Sequence, residues 1–457
     1  MNALRQILRI IVVIFLMLNE SYSMVPEWIT FTTSNSILRS NFITALAKEP
    51  DNTIWVGTFS HTVTGLGGTV RISGNSWSLF DTSNSGIKNN TAISIVVDNN
   101  NNKWFGCALK IDGFTASVLD SGGYSRYNGT TWSNWQSNLF WSDNIQDLSI
   151  DRSNNNLWSA VGTFFIQGNP IHGTVAMFNG SAWTFFNRAF FGLPNNNSFR
   201  SILVDNNNIK WIGTINNGLI RFDGTNYTIF NNNNSQIPSN NIYDLEMAPD
   251  GTLWVGTDFG LGKFDGTDWT VYRTSNSGLS YNLVTDVAIE NNNTIWVGTL
   301  NSLMKFDGNN NWTKFDTANS EIPGGVVDQI LVDNLGNKWI GSRDFQIGKG
   351  LTVFKEGGVV GLNNSITTLP QSFFLRQNYP NPFNPSTIIE FEIPKENFTE
   401  LKIYDLLGKE VAVIVSAHLN HGRYTYNWDA GSLPGGVYFS KLTSGNFSDA
   451  KKMVLVK

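Results

Sequence analysis

Apolar and polar positions alternate in short runs along most of the chain, and one apolar run recurs almost unchanged. "TIWVGT" (Thr53–Thr58), "TLWVGT" (Thr252–Thr257) and "TIWVGT" (Thr294–Thr299) are its clearest copies. Each run is too short for a helix and rich in β-branched and aromatic residues, so it reads as a buried strand. Before it lies a strand ending in an acidic or Pro-Asp turn, as in "SILVDNNNIKW" (Ser201–Trp211) and "DLEMAPDGTLW" (Asp244–Trp254). Asn, Asp and Gly tolerate positive φ, so these turns are hairpins. A third strand closes on "FDG" (Leu219–Gly224, Leu261–Gly266, Leu303–Gly308), and a fourth follows at Tyr227–Phe230, Trp269–Tyr272 and Trp312–Phe315.

Aligned on tryptophan, seven copies centre on Trp55, Trp104, Trp158, Trp211, Trp254, Trp296 and Trp339, at spacings of 49, 54, 53, 43, 42 and 43 residues. Periods of this size mark four-stranded propeller blades. A blade has two apolar faces and cannot hide either alone, so it stacks on its neighbours around a ring. The tryptophans are therefore assigned to packing between blades, with the following glycine allowing close backbone approach. "EWITF" (Glu27–Phe31) is a fourth-strand motif with no blade before it, and "LTVFKEGG" (Leu351–Gly358) lacks a fourth strand. The first strand is expected to complete the seventh blade.

The repeats resemble the two-component regulator propeller family, on the pattern NxIxxIxxDxxGxxWVGT…GLxxFDGxxWTxY over roughly Pro26 to Leu362. That family is best known as the periplasmic sensor half of hybrid histidine kinases, some of which are thought to sense glycans. After the connector "GLNNSITTLPQSF" (Gly361–Phe373) the period changes. "YPNPFNP", "IYDLLGKEV", "WDA", "GVYF" and the terminal "KKMVLVK" closely resemble the type A C-terminal sorting domain of the type IX secretion system. The resemblance implies passage across the outer membrane, contact with the type IX machinery, removal of the tail, and release or attachment at the cell surface. Lys451, Lys452 and Lys457 match the basic terminus of that family. Short strands between Gly and Asn turns read independently as a small immunoglobulin-like β-sandwich.

The N-terminus reads as an export signal: Arg5 and Arg9, then the apolar stretch Ile10–Leu18, then Ser21 and Ser23 before a cleavage position at Met24. The expected organisation is a signal peptide over 1–23, a seven-bladed β-propeller over 24–362, a linker over 363–372 and a sorting domain over 373–457, an all-β chain throughout. No later apolar stretch reaches the roughly 18 residues of a membrane span, so no transmembrane segment is expected after signal removal.

Charge and cysteine content narrow the function. Charged residues make up 15 % of 457 residues, and the net charge is -5. No Lys/Arg run points to nucleic acid. Cys107 is the single cysteine. An exported chain with one cysteine has no internal disulfide, and its place at the repeat's Thr position predicts a buried structural thiol. The "DNNNN" turn (Asp98–Asn102) lacks the spaced carboxylates of a calcium loop. No catalytic triad spacing, zinc motif or phosphate loop occurs, so no metal, cofactor or catalytic residue is assigned.

Alternating strand direction places the loop after each WVGT strand and the link between blades on one rim. Insertions in blades one to three fall there: Phe59–Gly68, Ala108–Gly123 and Phe164–Gly173, with the link Asn187–Asn197 and the segment Ser137–Asn144. They carry His61, Phe114, Trp141, Phe164, Phe165, His172, Phe190 and Phe191, the candidate ligand-binding residues. Aromatic faces stack on sugar rings, and neighbouring Asn and Asp bond hydroxyls. The leading reading is a secreted or surface-displayed propeller that binds an extracellular glycan or protein through this face. The alternatives are a lyase-like polysaccharide-active enzyme using the same face, with His61 and His172 across the funnel, and a purely structural surface protein.

Overall fold

The computed structural model describes residues 27–59, 67–107, 110–111, 118–120, 122–135, 144–166, 169–171, 173–194, 197–290, 294–344, 347–359, 373–395, 397–419 and 422–456. The expected signal peptide, the linker and Lys457 lie outside them. Every regular element among the described residues is a β-strand.

Seven four-stranded antiparallel sheets form the blades. Their inner strands are Phe42–Lys48, Ala92–Val97, Ile145–Ile150, Ser198–Val204, Ile242–Met247, Val284–Ile289 and Val326–Val332. The second strand of each carries the recurring tryptophan. The seventh blade is completed by the first strand of the chain: Glu27–Phe31 pairs antiparallel with Ile347–Lys355, from Glu27 opposite Lys355 to Phe31 opposite Leu351. The ring is thus closed by main-chain hydrogen bonds between the two ends of the repeat array, as the orphan fourth-strand motif requires. In the second and third blades, segments after the second strand pair as short two-stranded hairpins, Lys110–Ile111 with Val118–Asp120 and Phe164–Ile166 with Asn169–Ile171.

Trp55 and Trp296 have no exposed surface, and the other five repeat tryptophans are 2–5 % exposed. Each of the six from Trp55 to Trp296 also meets an aromatic ring on the third strand of the following blade, as Trp158 meets Phe222 and Trp254 meets Phe306. The glycine two residues after the tryptophan lets the next inner strand approach: a Cβ on Gly106 would lie 2.5 Å from Ile145 Cγ2. The third blade departs from the pattern, carrying buried Ala160 at this position. Next in the motif, Thr58, Thr214, Thr257 and Thr299 turn their hydroxyls onto the carbonyls of Gly68, Gly218, Gly260 and Ser302 at 2.7–3.0 Å. Cys107 takes this position in the second blade and is fully buried, as a packing thiol should be.

The C-terminal module stacks a three-stranded sheet (Phe374–Leu375, Ser386–Ile393, Gly422–Asp429) on a four-stranded one (Glu410–Leu419, Asn397–Asp405, Gly436–Ser444, Phe447–Leu455). Alternate residues of the two sheets, including Ile389, Phe391, Leu401, Ile403, Leu442 and Met453, form one buried core. The period-two burial of a sandwich is clear along Ser386–Ile393.

Candidate functional site

Each inner strand carries a β-bulge at the same place. Registers shift between Ile43 and Ala45, Ala92 and Ser94, Ile145 and Asp147, Phe199 and Ser201, Ile242 and Asp244, Val284 and Asp286, and Val327 and Gln329. A bulge leaves one residue out of the ladder and re-aims its side chain. The seven residues so displaced are Thr44, Ile93, Gln146, Arg200, Tyr243, Thr285 and Asp328, and all seven line a central cavity of about 500 Å³. Because the bulge sits where the chain enters the inner strand, the cavity lies toward the rim of the inter-blade links. The same rim receives the ends of the second strands, as Phe42 paired with Phe59 shows.

One residue further on, the inner strands hold the ring together. Asp147, Asp244 and Asp286 accept the backbone N–H of Ile202, Val287 and Ile330 in the following blade, at 2.9, 2.8 and 2.6 Å. Ser94 does the same for Leu148 at 3.1 Å and donates its hydroxyl to Asp147 at 3.0 Å. These groups satisfy amides that an inner edge strand would otherwise leave unpaired.

Crowding these carboxylates around a narrow channel disfavours their charge. Burial, with repulsion from Asp244, pushes Asp147 up to about 7 against the opposing hydrogen bond from Ile202. Burial pushes Asp244 up to about 6, and burial with repulsion from Asp244 and Asp147 pushes Glu246 up to about 8. Asp286 is raised by the same causes. Among the described residues no three His, Cys, Asp or Glu side chains come together as a metal site.

The basic side chains of the cavity are Arg200 and Arg343. Arg343 is ion-paired with Asp328, Nη2 to Oδ1 at 3.4 Å, and stands over the Phe42 ring at 5.5 Å. The Arg200 guanidinium carbon stands over Tyr243, 3.8 Å from its ring centroid. It makes no hydrogen bond to any described residue, so its guanidinium donors face the cavity unused. Burial lowers its pKa from the ordinary arginine value, opposed by Tyr243, Asp328 and Asp244.

Of the residues singled out from sequence, His61, Phe114, Trp141 and His172 lie outside the described residues. Phe164 and Phe165 stand on the third-blade hairpin, opposite Ile171 and Pro170. Phe190 and Phe191 are brought together, 5.0 Å apart, in an aromatic cluster with Phe222 and Tyr227. Phe190 is 43 % exposed, whereas Phe191 has no exposed surface and packs in the core between the third and fourth blades. Phe191 therefore anchors its own link and offers no face to a ligand. The channel ring was not singled out. No residue type marks it in the sequence, since the position holds Thr44, Ile93, Gln146, Arg200, Tyr243, Thr285 and Asp328 in turn.

The family described as secretion system C-terminal sorting domain matches residues 377–457. The family described as two component regulator propeller matches residues 37–60 and 236–259. No curated protein matches the chain. Among solved structures, it is similar to the extracellular domain of a hybrid two component system from B. thetaiotaomicron, at TM-score 0.55 and 15 % identity, covering 94 % of this chain and 57 % of that one. It is also similar to PorZ, a surface component of the type-IX secretion system of Porphyromonas gingivalis, at TM-score 0.52 and 17 % identity, covering 93 % and 60 %. The chain thus spans 57–60 % of the length of these two proteins. Virginiamycin B lyase from Staphylococcus aureus matches 72 % of the chain and 99 % of its own length, at TM-score 0.53 and 11 % identity. At these identities the likeness is one of fold.

Proposed function

We propose that this chain, which carries two-component regulator propeller repeats and a type IX C-terminal sorting domain, is a surface or secreted binding protein whose ligand, a glycan or a protein, docks on the rim where the central cavity opens. The sorting domain supports delivery to the cell surface or the exterior through the secretion machinery. The observation that carries the binding reading is the convergence of seven bulge residues, one per blade, on a single cavity. Stability alone requires the inter-blade hydrogen bonds of Asp147, Asp244 and Asp286. It does not require Arg200 and Tyr243 to stand in the channel one residue earlier. The described hairpins of the second and third blades follow second strands that end on the same rim, and Phe190 adds an exposed ring.

The test is retention of the mature chain on immobilised polysaccharides and on outer-membrane proteins, with soluble products assayed in parallel. Saturable retention without products is expected. New reducing ends or unsaturated sugars would move the chain to the polysaccharide-active enzymes, and no retention on any support would favour a structural surface protein.

A further inference from the structure

We infer that the channel mouth is a receptor for the carboxylate of an acidic sugar, a hexuronate residue of a polysaccharide, with Arg200 as its anchor. This rests on the reading above that the rim binds a ligand, and it names the chemistry.

Four acidic side chains line the cavity and each is hydrogen-bonded within the protein, with Asp244 and Asp328 also favouring the charged form of Arg200 through space. Asp147, Asp244 and Asp286 hold backbone amides of the next blade, and Asp328 holds Arg343. Arg200 is left as the cavity's guanidinium with no acceptor among the described residues. The Tyr243 ring, 3.8 Å from its guanidinium carbon, holds the group against the channel wall before any ligand arrives. A planar guanidinium fork is matched by a carboxylate, which takes two parallel N–H bonds.

The rest of the lining mixes apolar side chains, such as Ile93, Leu283 and Val326, with neutral polar ones, as a sugar with its C–H faces and hydroxyls requires. Thr44, Gln146, Thr285 and Gln329 place neutral hydroxyls and amides around the cavity. Thr44 and Thr285 spend their protons on the carbonyls of Ala92 and Val327, which leaves their oxygens free to accept from ligand hydroxyls. Sugar hydroxyls donate to such oxygens, and a compact sugar ring fills a channel that an extended peptide with its flanking side chains would have to thread. A cavity of about 500 Å³ is within the size range of small-ligand sites.

The experiment is calorimetric titration of the full mature chain with oligogalacturonate and oligoglucuronate and with their carboxyl-reduced neutral counterparts. The expected result is saturable binding of at least one uronate oligomer. Carboxyl reduction and Arg200→Gln should each weaken it about tenfold or more, as loss of a charge-assisted bidentate pair does. Arg200→Lys, which keeps the charge but not the fork, should fall between, and it guards against a glutamine variant that fails to fold. Equal binding of acidic and reduced oligomers, or equal binding by wild type and Arg200→Gln, would overturn the inference while leaving the rim as a binding face. Binding only of a carboxylate-bearing peptide, lost in Arg200→Gln, would overturn the sugar assignment. Failure of every uronate oligomer would also overturn it, and retention on a neutral polysaccharide or protein would then still uphold the broader reading.

Discussion

The Lys103 ammonium of the second blade lies 3.0 Å from the Glu49 carboxylate of the first, whose other oxygen accepts the Trp55 indole N–H at 2.7 Å. Lys338, Glu290 and Trp296 repeat the arrangement between the seventh and sixth blades, at 3.3 and 2.9 Å. Lys103 and Lys338 also lie over the tryptophan rings, at 5.9 and 4.6 Å, and both are almost fully buried. The acid of the hairpin turn, the tryptophan six residues later and a lysine from the next blade thus form one joint.

Removing one member of such a buried pair leaves the other charge unpaired. Glu49→Ala should cost about 3–5 kcal/mol of unfolding free energy. The Glu49→Gln, Lys103→Met pair should cost less than the sum of its single changes, because neither charge is then stranded. Burial raises the pKa of Glu49, but hydrogen bonds from Trp55, Lys103 and Asn101 outweigh it and hold the carboxyl below its ordinary 4.5. Its contribution is therefore present above pH 4.5 and lost as the pH falls through the lower folded value. Denaturant midpoints of wild type and Glu49→Gln should converge in strong acid.

The indole bonds predict a contrast between blades. Trp55, Trp104, Trp211, Trp296 and Trp339 all donate to the acid six residues before them. In the third blade the turn "DRSNNNLW" has one residue more, so Asp151 stands seven before Trp158, and the Trp158 indole N–H has no partner. Trp55→Phe should therefore destabilise more than Trp158→Phe by about 1.5–3 kcal/mol, the worth of a hydrogen bond to a charged group. Urea titration of the two variants reads the difference directly.

The channel acids predict a slope in the opposite sense to that of Glu49. Asp147 is raised to about 7 and Asp244 to about 6, so the folded chain holds protons that the unfolded chain has released. Their stabilising effect is full below the ordinary 3.8 and is lost as the pH rises through 6 and 7. Asp147→Asn keeps an acceptor for the Ile202 amide but does not titrate. It should flatten the decline in melting temperature between pH 5 and pH 8, and stand above wild type at the upper end.

Ring closure rests on the first strand. Phe31 is almost fully buried and its ring lies 4.8 Å from Trp77 of the first blade. Phe31→Ala should cost about 3–5 kcal/mol, as truncation of a core aromatic does. An opened ring exposes strand edges, so gel filtration at raised concentration should also show association of this variant.

The blade count, the strand order within each blade and the closing strand were legible because they depend on residue type at fixed spacing: Trp for the inter-blade contact, Gly where a Cβ would strike the next strand, Asn and Gly at positive φ. The joint of acid, tryptophan and lysine was also written in the chain, as an acidic residue six positions before Trp and a lysine directly before Trp104, Trp211 and Trp339. The cavity was not legible in the same way. A bulge at Arg200 or Tyr243 is a shift of register, and no residue type requires it; only the ladder of each inner strand against its neighbour reveals which side chain leaves it. Phe190 and Phe191 show the other limit. Adjacent and identical in type, they differ in burial because the turn of their link points one outward and the other between blades.

Hydrogen exchange across the whole mature chain, with and without a mixture of polysaccharides and outer-membrane extract, tests the binding face most directly. The account predicts slowed exchange on addition of ligand at the starts of the inner strands, around residues 42–44, 198–200, 241–243 and 326–328, and in the inter-blade links beside them. Protection confined to the hairpin turns of the opposite rim, such as 98–102 and 333–337, or no change anywhere in the propeller, would contradict it.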